Sequence, residues 1–170
     1  MSSRKIPINR MGRFFDESDF NFEVEMGMEY FDDINISVVL FKVNREFTQH
    51  DDLYGEVNKN EISYYPPIEI KCRIKIDEPI NKNINNNGKL QYLEPGNLTL
   101  SIFNKELQDK KVDIDYGDYI GYQINEDKMV YYTVANDGKV NYNNNKTIGG
   151  YKSAFRKIIC TPVTENEFNG

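Results

Sequence analysis

Apolar and polar residues alternate along much of this chain, and the alternation predicts most of its elements. Phe20, Phe22, Val24, Met26, Met28 and Tyr30 are interleaved with Asn21, Glu23, Glu25, Gly27 and Glu29, a period of two that predicts a half-buried strand. A short helix across Val24 to Ile34 is the competing reading, and Gly27 suits neither. The next run, INISVVLFKV, places Ile36, Val38 and Leu40 on one face and Val39, Phe41 and Val43 on the other. With both faces apolar, that strand belongs in the middle of a sheet. Residues 45–61 are polar and loop-like, ending before Pro66-Pro67. The cleanest strand follows: Ile68, Ile70, Cys72, Ile74 and Ile76 share one face, and Glu69, Lys71, Arg73, Lys75 and Asp77 share the other.

The Asn- and Lys-rich stretch at 81–88 and the Glu94-Pro95-Gly96-Asn97 turn mark 79–97 as an exposed hairpin or mobile loop. NLTLSIFNKEL, KVDIDYGDYIGYQI and MVYYTV supply further strands, and RKIICTPV closes the series. Asn136-Asp137-Gly138-Lys139 predicts a hairpin between 131–134 and 140–142. Helix is expected only as one short segment near Asn104 to Lys110 or Tyr151 to Phe155. Short strands punctuated by Gly, Asn and Asp predict an all-β fold, an antiparallel β-sandwich or small partly open barrel. The expected organisation is an extended N-terminal arm (1–33), a single β domain (34–163) carrying a long Asn-rich loop, and a C-terminal tail (164–170).

Composition supports this class. The 170 residues are enough for one core, and they include 21 Asn, 18 Ile and 12 Tyr but 2 Ala and no Trp. Ile and Tyr suit a pleated, half-buried surface, and Ala, the best helix former, is scarce. The same bias is what AT-rich codon usage produces. The net charge of −6 argues against a general grip on nucleic acid, which normally shows a basic patch. The charge is segregated: Arg4, Lys5, Arg10 and Arg13 come first, then eight acids between Asp16 and Asp33. Such an arm either adds to the sheet edge of a neighbouring subunit or forms a strand of its own domain. No run approaches the roughly 18 apolar residues of a membrane span, and the N-terminus lacks a secretory signal, so a protein made in a cytoplasm is expected.

Candidate chemistry is sparse. His50 is the only histidine, which leaves a His-based metal site or triad little to build on. Cys72 and Cys160 are too few and too widely spaced for a CxxC motif and read as buried, reduced thiols. Asp51, Asp52 and Glu56 lack the spacing of a calcium loop, so a solvated acidic turn, or one pairing with a basic neighbour, is the simpler reading. Asp115 to Tyr122 has neither GxGxxG nor a following Lys-Ser or Lys-Thr; a turn at Gly117 leading into a strand explains it. The expectation is no enzyme, no cofactor and no metal. Paired carboxylates for glycoside hydrolysis are a spatial matter that spacing does not decide.

Three blocks in order, LFKVNREFTQHDDLYGE (40–56), VDIDYGDYIGYQI (112–124) and GGYKSAFRKIICTPV (149–163), with Pro66-Pro67 and IEIKCRIKI between the first two, resemble the neck or ring proteins of the head-to-tail connector of tailed phages. The likeness is to those of crAss-like phages and, more distantly, to neck proteins of contractile-tailed phages. It implies a virion structural protein, assembled in the host cytoplasm, that forms a homo-oligomeric ring. The ring would contact a portal or adaptor protein and adjacent tail or neck rings, with double-stranded DNA passing through it without specific binding and no membrane involved. A ring requires a heterologous interface. The charged arm, with Phe20 and Phe22, and the loop carrying Asp51, Asp52 and Glu56 are candidate contacts, and because aromatic and Arg residues favour interface cores, so are Tyr54, Tyr119, Tyr122, Tyr151 and Arg156. Packing within the subunit is the competing explanation for each. The alternative function is a carbohydrate-binding β-sandwich module of a tail-associated protein, which a Tyr-rich sheet suits and the absence of Trp disfavours.

Overall fold

A computed structural model describes residues 15–47, 62–83, 91–139, 145–148, 152–163 and 168. An opening helix, α1 (Glu17–Ile34), precedes β1 (Ser37–Phe41), β2 (Ile68–Lys71), β3 (Arg73–Ile76), β4 (Ile80–Asn83), β5 (Gln91–Glu94) and β6 (Leu98–Phe103). A short helix α2 (Asn104–Asp109) leads to β7 (Tyr119–Asn125), β8 (Lys128–Asn136), β9 (Asn145–Ile148) and β10 (Lys152–Pro162). The all-β expectation holds, with helix confined to these two segments among the described residues. Of the two places where a short helix was expected, the first is helical, and 152–155 lies in β10.

The main sheet is antiparallel and runs β2-β1-β7-β8-β10-β6-β3, with β9 added beside β10. Its two ends are successive pieces of one segment, residues 68–76. Ile68–Lys71 pairs β1, and Arg73–Ile76 pairs β6. The expected single strand is therefore divided at Cys72, whose N–H still donates to the Ile36 carbonyl (3.2 Å). A right-handed twist accumulated over these strands curls the sheet into a half-barrel. Val38, Leu40, Ile70, Cys72, Leu98, Leu100, Ile102, Ile114, Ile120, Tyr132, Val134, Ile158 and Cys160 fill its concave side. The face assigned to Ile68–Ile76 is correct, although Ile76, at the far end of its strand, is exposed. As expected, β1 is internal, flanked by β2 and β7.

Asn-rich segment 79–97 forms a separate two-stranded hairpin, β4–β5. Of the hairpin expected around Asn136–Lys139, the first arm, 131–134, lies in β8. β8 pairs β7 across the two-residue Glu126-Asp127 turn and pairs β10 on its other edge, while β9 pairs β10. Residues 140–142 lie outside the described residues.

The strand expected at 20–30 is a helix. Asp16 caps it by accepting from the Asp19 N–H (3.0 Å), the Asp19 carboxylate accepts from the Asp16 N–H (3.0 Å), and Asn35 closes the other end in the left-handed conformation at φ 53°. Phe20, Val24, Gly27, Met28 and Phe31 recur every three or four residues and face the outer side of β6 and β10, meeting Ala154, Phe103 and Phe155. Gly27 permits the close approach, since a Cβ there would lie 2.4 Å from the Phe103 ring. That ring has little room to yield between Phe31 (5.2 Å) and Phe155 (5.8 Å). Lys71–Asp32 and Lys105–Glu25 ion pairs tie the exposed flank of α1 to β2 and α2.

Candidate subunit-contact surface

Two surfaces lie outside the concave core, and they hold three of the five candidate contacts that the structure describes, Phe20, Phe22 and Tyr119. The first is α1. An apolar residue at every second position of a helix produces two stripes, because two residues turn the chain about 200° around the axis. Phe20, Val24 and Met28 form the inner stripe. Phe22 (61% exposed), Met26 (53%), Tyr30 (60%) and Ile34 (41%) form the outer one, flanked by Glu23, Glu25, Glu29 and Asp33. Phe20 is thus core at the helix–barrel junction, and Phe22 is the described candidate that stands open to a partner.

The second surface is an aromatic cluster on the convex side of β1, β7 and β8. The Phe168 ring stacks on Tyr131 (4.2 Å) and meets Phe41 (4.9 Å), Tyr119 (5.2 Å) and Tyr64 (5.4 Å). Tyr119 is half-buried there, and Tyr122 is half-buried against the core. Burial, and secondarily the neighbouring Tyr119, pushes the Tyr64 hydroxyl up to about 12. These rings pack edge and face against one another rather than lying in a flat open row.

Arg156 is buried and serves an internal charge hub instead of an exposed contact. It pairs with Asp113. Lys139 pairs with Asp113 (2.7 Å) and Asp115, and Lys42 joins Asp115 (2.6 Å) and Asp118 (3.5 Å). Lys42 also donates to the Asp113 carbonyl (2.9 Å), and the Arg45 guanidinium to the Tyr116 carbonyl (3.0 Å). Asp118, 1% exposed, accepts the N–H groups of Val43 (3.1 Å) and Asp115 (2.9 Å). Gly117, at φ 87°, supplies the left-handed turn. The Asp115–Tyr122 block thus knots β1, β8 and β10 together at one rim, and the expected turn at Gly117 is present. Composition and spacing did not reveal this hub; its signal was three acids, 113, 115 and 118, in one short loop.

Two ammonium groups act on Asp115. Hydrogen bonds from Lys139 and then Lys42 outweigh burial and hold its carboxyl down at about 2, from an ordinary 3.8. At Asp113, burial raises the pKa, but hydrogen bonds from Lys139 and Arg156 bring the net shift below the ordinary value. A depressed carboxylate contributes stability that is fully present above its unfolded pKa and is lost as pH falls through its folded one. The urea midpoint is therefore expected to drop between pH 3.8 and about 2, and less steeply in Asp115→Asn. Identical pH profiles for the two proteins would remove Asp115 from the hub.

Burial pushes both Cys72 and Cys160 up to about 12, which keeps them as thiols, whereas nucleophiles and metal ligands are thiolates. No cluster of three metal-ligating side chains occurs among the described residues. A cleft of about 320 Å³ between α1, α2 and β10 is lined by Asn21, Asn104, Lys105, Gln108 and Ser153, with Asp109 as the one carboxylate. No helix among the described residues is long and apolar enough to cross a membrane. Asp51, Asp52, Tyr54, Glu56 and Tyr151, together with His50, lie outside the described residues. On either side of 48–61, Val43 bridges Tyr64, the Asn44 N–H donates to the Ser63 carbonyl (2.8 Å) and the Tyr65 N–H to the Lys42 carbonyl (2.9 Å). Comparison of the chain with protein-family models and with curated proteins finds no match.

Proposed function

We propose that this chain is a structural protein of the phage neck, a homo-oligomeric ring that links portal and capsid to tail and surrounds the DNA exit channel. The sequence blocks 40–56, 112–124 and 149–163, in that succession, support the reading, and the observation that carries it furthest is the outer stripe of α1. A helix clamped to a curled sheet by one apolar stripe while a second faces water is a surface built for protein contact. The charge hub and the aromatic cluster stiffen the barrel that carries it, as a load-transmitting ring subunit requires. The net charge of −6 suits a channel along which DNA slides without being held.

The test combines mass measurement of the purified protein with a search for it in purified virions of the encoding phage. Ring-sized particles and virion incorporation are expected. A protein that stays monomeric at high concentration and is missing from virions would overturn the proposal, and glycan binding by that monomer would favour the carbohydrate-binding alternative.

A further inference from the structure

We propose that the outer stripe of α1, Phe22, Met26, Tyr30 and Ile34, is the docking site for residues 1–13 of a neighbouring copy of this chain. The inference rests on the ring reading and names its contact. Four apolar side chains four residues apart extend over about 18 Å of helix, long enough to seat an extended or helical segment. Charge selects the occupant. Between Asp16 and Asp33 there are eight acids and no basic residue, so stripe-to-stripe pairing of two copies would set like charges against each other. Residues 1–13 carry Arg4, Lys5, Arg10 and Arg13, no acid, and the apolar Ile6, Ile8 and Met11 among them. They offer the stripe both an apolar complement and an opposite charge.

The connection favours a neighbour over the same subunit. Phe15 packs with Phe20, Val24 and Ala154 in the cluster beneath α1, so the chain arrives at the helix from its buried side. To cover its own outer stripe it would have to pass around the helix, whereas a donor from the next subunit approaches from open solvent. One surface binding a different surface of the next copy is the heterologous contact that a closed ring needs.

Two variants test this: Phe22→Ser/Met26→Ser/Tyr30→Ser, and a chain lacking residues 1–13. All three substituted side chains are exposed, and the truncation keeps Phe15 and all of α1, so both proteins are expected to keep the wild-type circular dichroism spectrum and melting profile. Each alone should self-associate about 30-fold or more weakly than wild type, as when hot-spot aromatics are removed. Wild-type assembly should also weaken in about 1 M salt, where the Debye length is about 3 Å. Mixed together, the two variants retain one working stripe and one working segment, so sedimentation should show one-to-one heterodimers that grow no further. Wild-type-sized rings from either variant would overturn the inference and leave the ring proposal standing. Two variants that are monomeric alone and in mixture would overturn the docking in trans, and a monomeric wild type would overturn it outright.

Discussion

Asp118→Ala is expected to destabilise the subunit by about 4 kcal/mol, the scale of breaking a buried ion pair or orphaning two buried donors. Its carboxylate is almost wholly buried and accepts two backbone N–H groups, those of Val43 and Asp115, while facing the Lys42 ammonium at 3.5 Å. Alanine would leave both N–H groups without that acceptor at the rim where β1, β7 and β8 converge. Asp118→Asn keeps one acceptor oxygen and loses the charge, so its cost should be smaller, about 1–2 kcal/mol. Asp137→Ala is a fair control: Asp137 lies in the same charged neighbourhood, 4.0 Å from Lys139, and a partly solvated pair of that kind is worth about 1 kcal/mol or less. Urea unfolding with an unchanged slope is the appropriate measurement. Equal midpoints for Asp118→Ala and Asp137→Ala would show that the buried carboxylate holds nothing together.

How legible this fold was depended on the range over which each signal acts. The β-rich class followed from local alternation, which burial on one side of a sheet enforces residue by residue; Ile70, Cys72 and Ile74 face inward as their spacing implies. The break at Cys72 was not legible, because it arises where the sheet closes on itself and one segment must serve two partners, β1 and β6. The misreading of 20–30 has a sharper cause. Apolar residues at every second position describe a strand with one buried face equally well as a helix with two apolar stripes, so periodicity alone could not choose. The deciding signals were the Asp16–Asp19 capping box and the Asn35 stop. A pattern that looked like a strand was a core stripe superimposed on an exposed apolar stripe.

The candidate contacts divide along the same line. Phe22 was legible as an exposed aromatic once the helix was known. Arg156 was not, since its partner Asp113 lies 43 residues away and only the β6–β10–β8 arrangement brings them together. Tyr119 and Tyr122 follow suit: their amphipathic character is spent on the convex cluster and the core within the subunit. Long-range pairing of charges and rings is a property of topology, and local composition does not encode it.

Phe168→Ala should test whether the Phe168 ring holds the convex aromatic cluster together. Phe168 is 7% exposed and touches Phe41, Tyr64, Tyr119 and Tyr131 at once, so its removal opens the convex face of three neighbouring strands. Burying an aromatic ring in a core is worth about 3–5 kcal/mol on truncation. The Phe168 ring packs on the convex cluster and not in the concave core, so it can undock without unfolding the barrel, which places the expected loss nearer 3 kcal/mol. A second readout separates undocking from global destabilisation. The Tyr64 hydroxyl stands at about 12 chiefly because it is buried, and water admitted by the missing ring should bring its titration back toward 10.0. Ultraviolet titration of tyrosinate in the folded variant would report that shift, with Tyr64→Phe identifying the signal. A variant whose stability falls while Tyr64 titrates as before would mean that the other rings close over the gap, and that Phe168 adds packing energy without sealing the cluster.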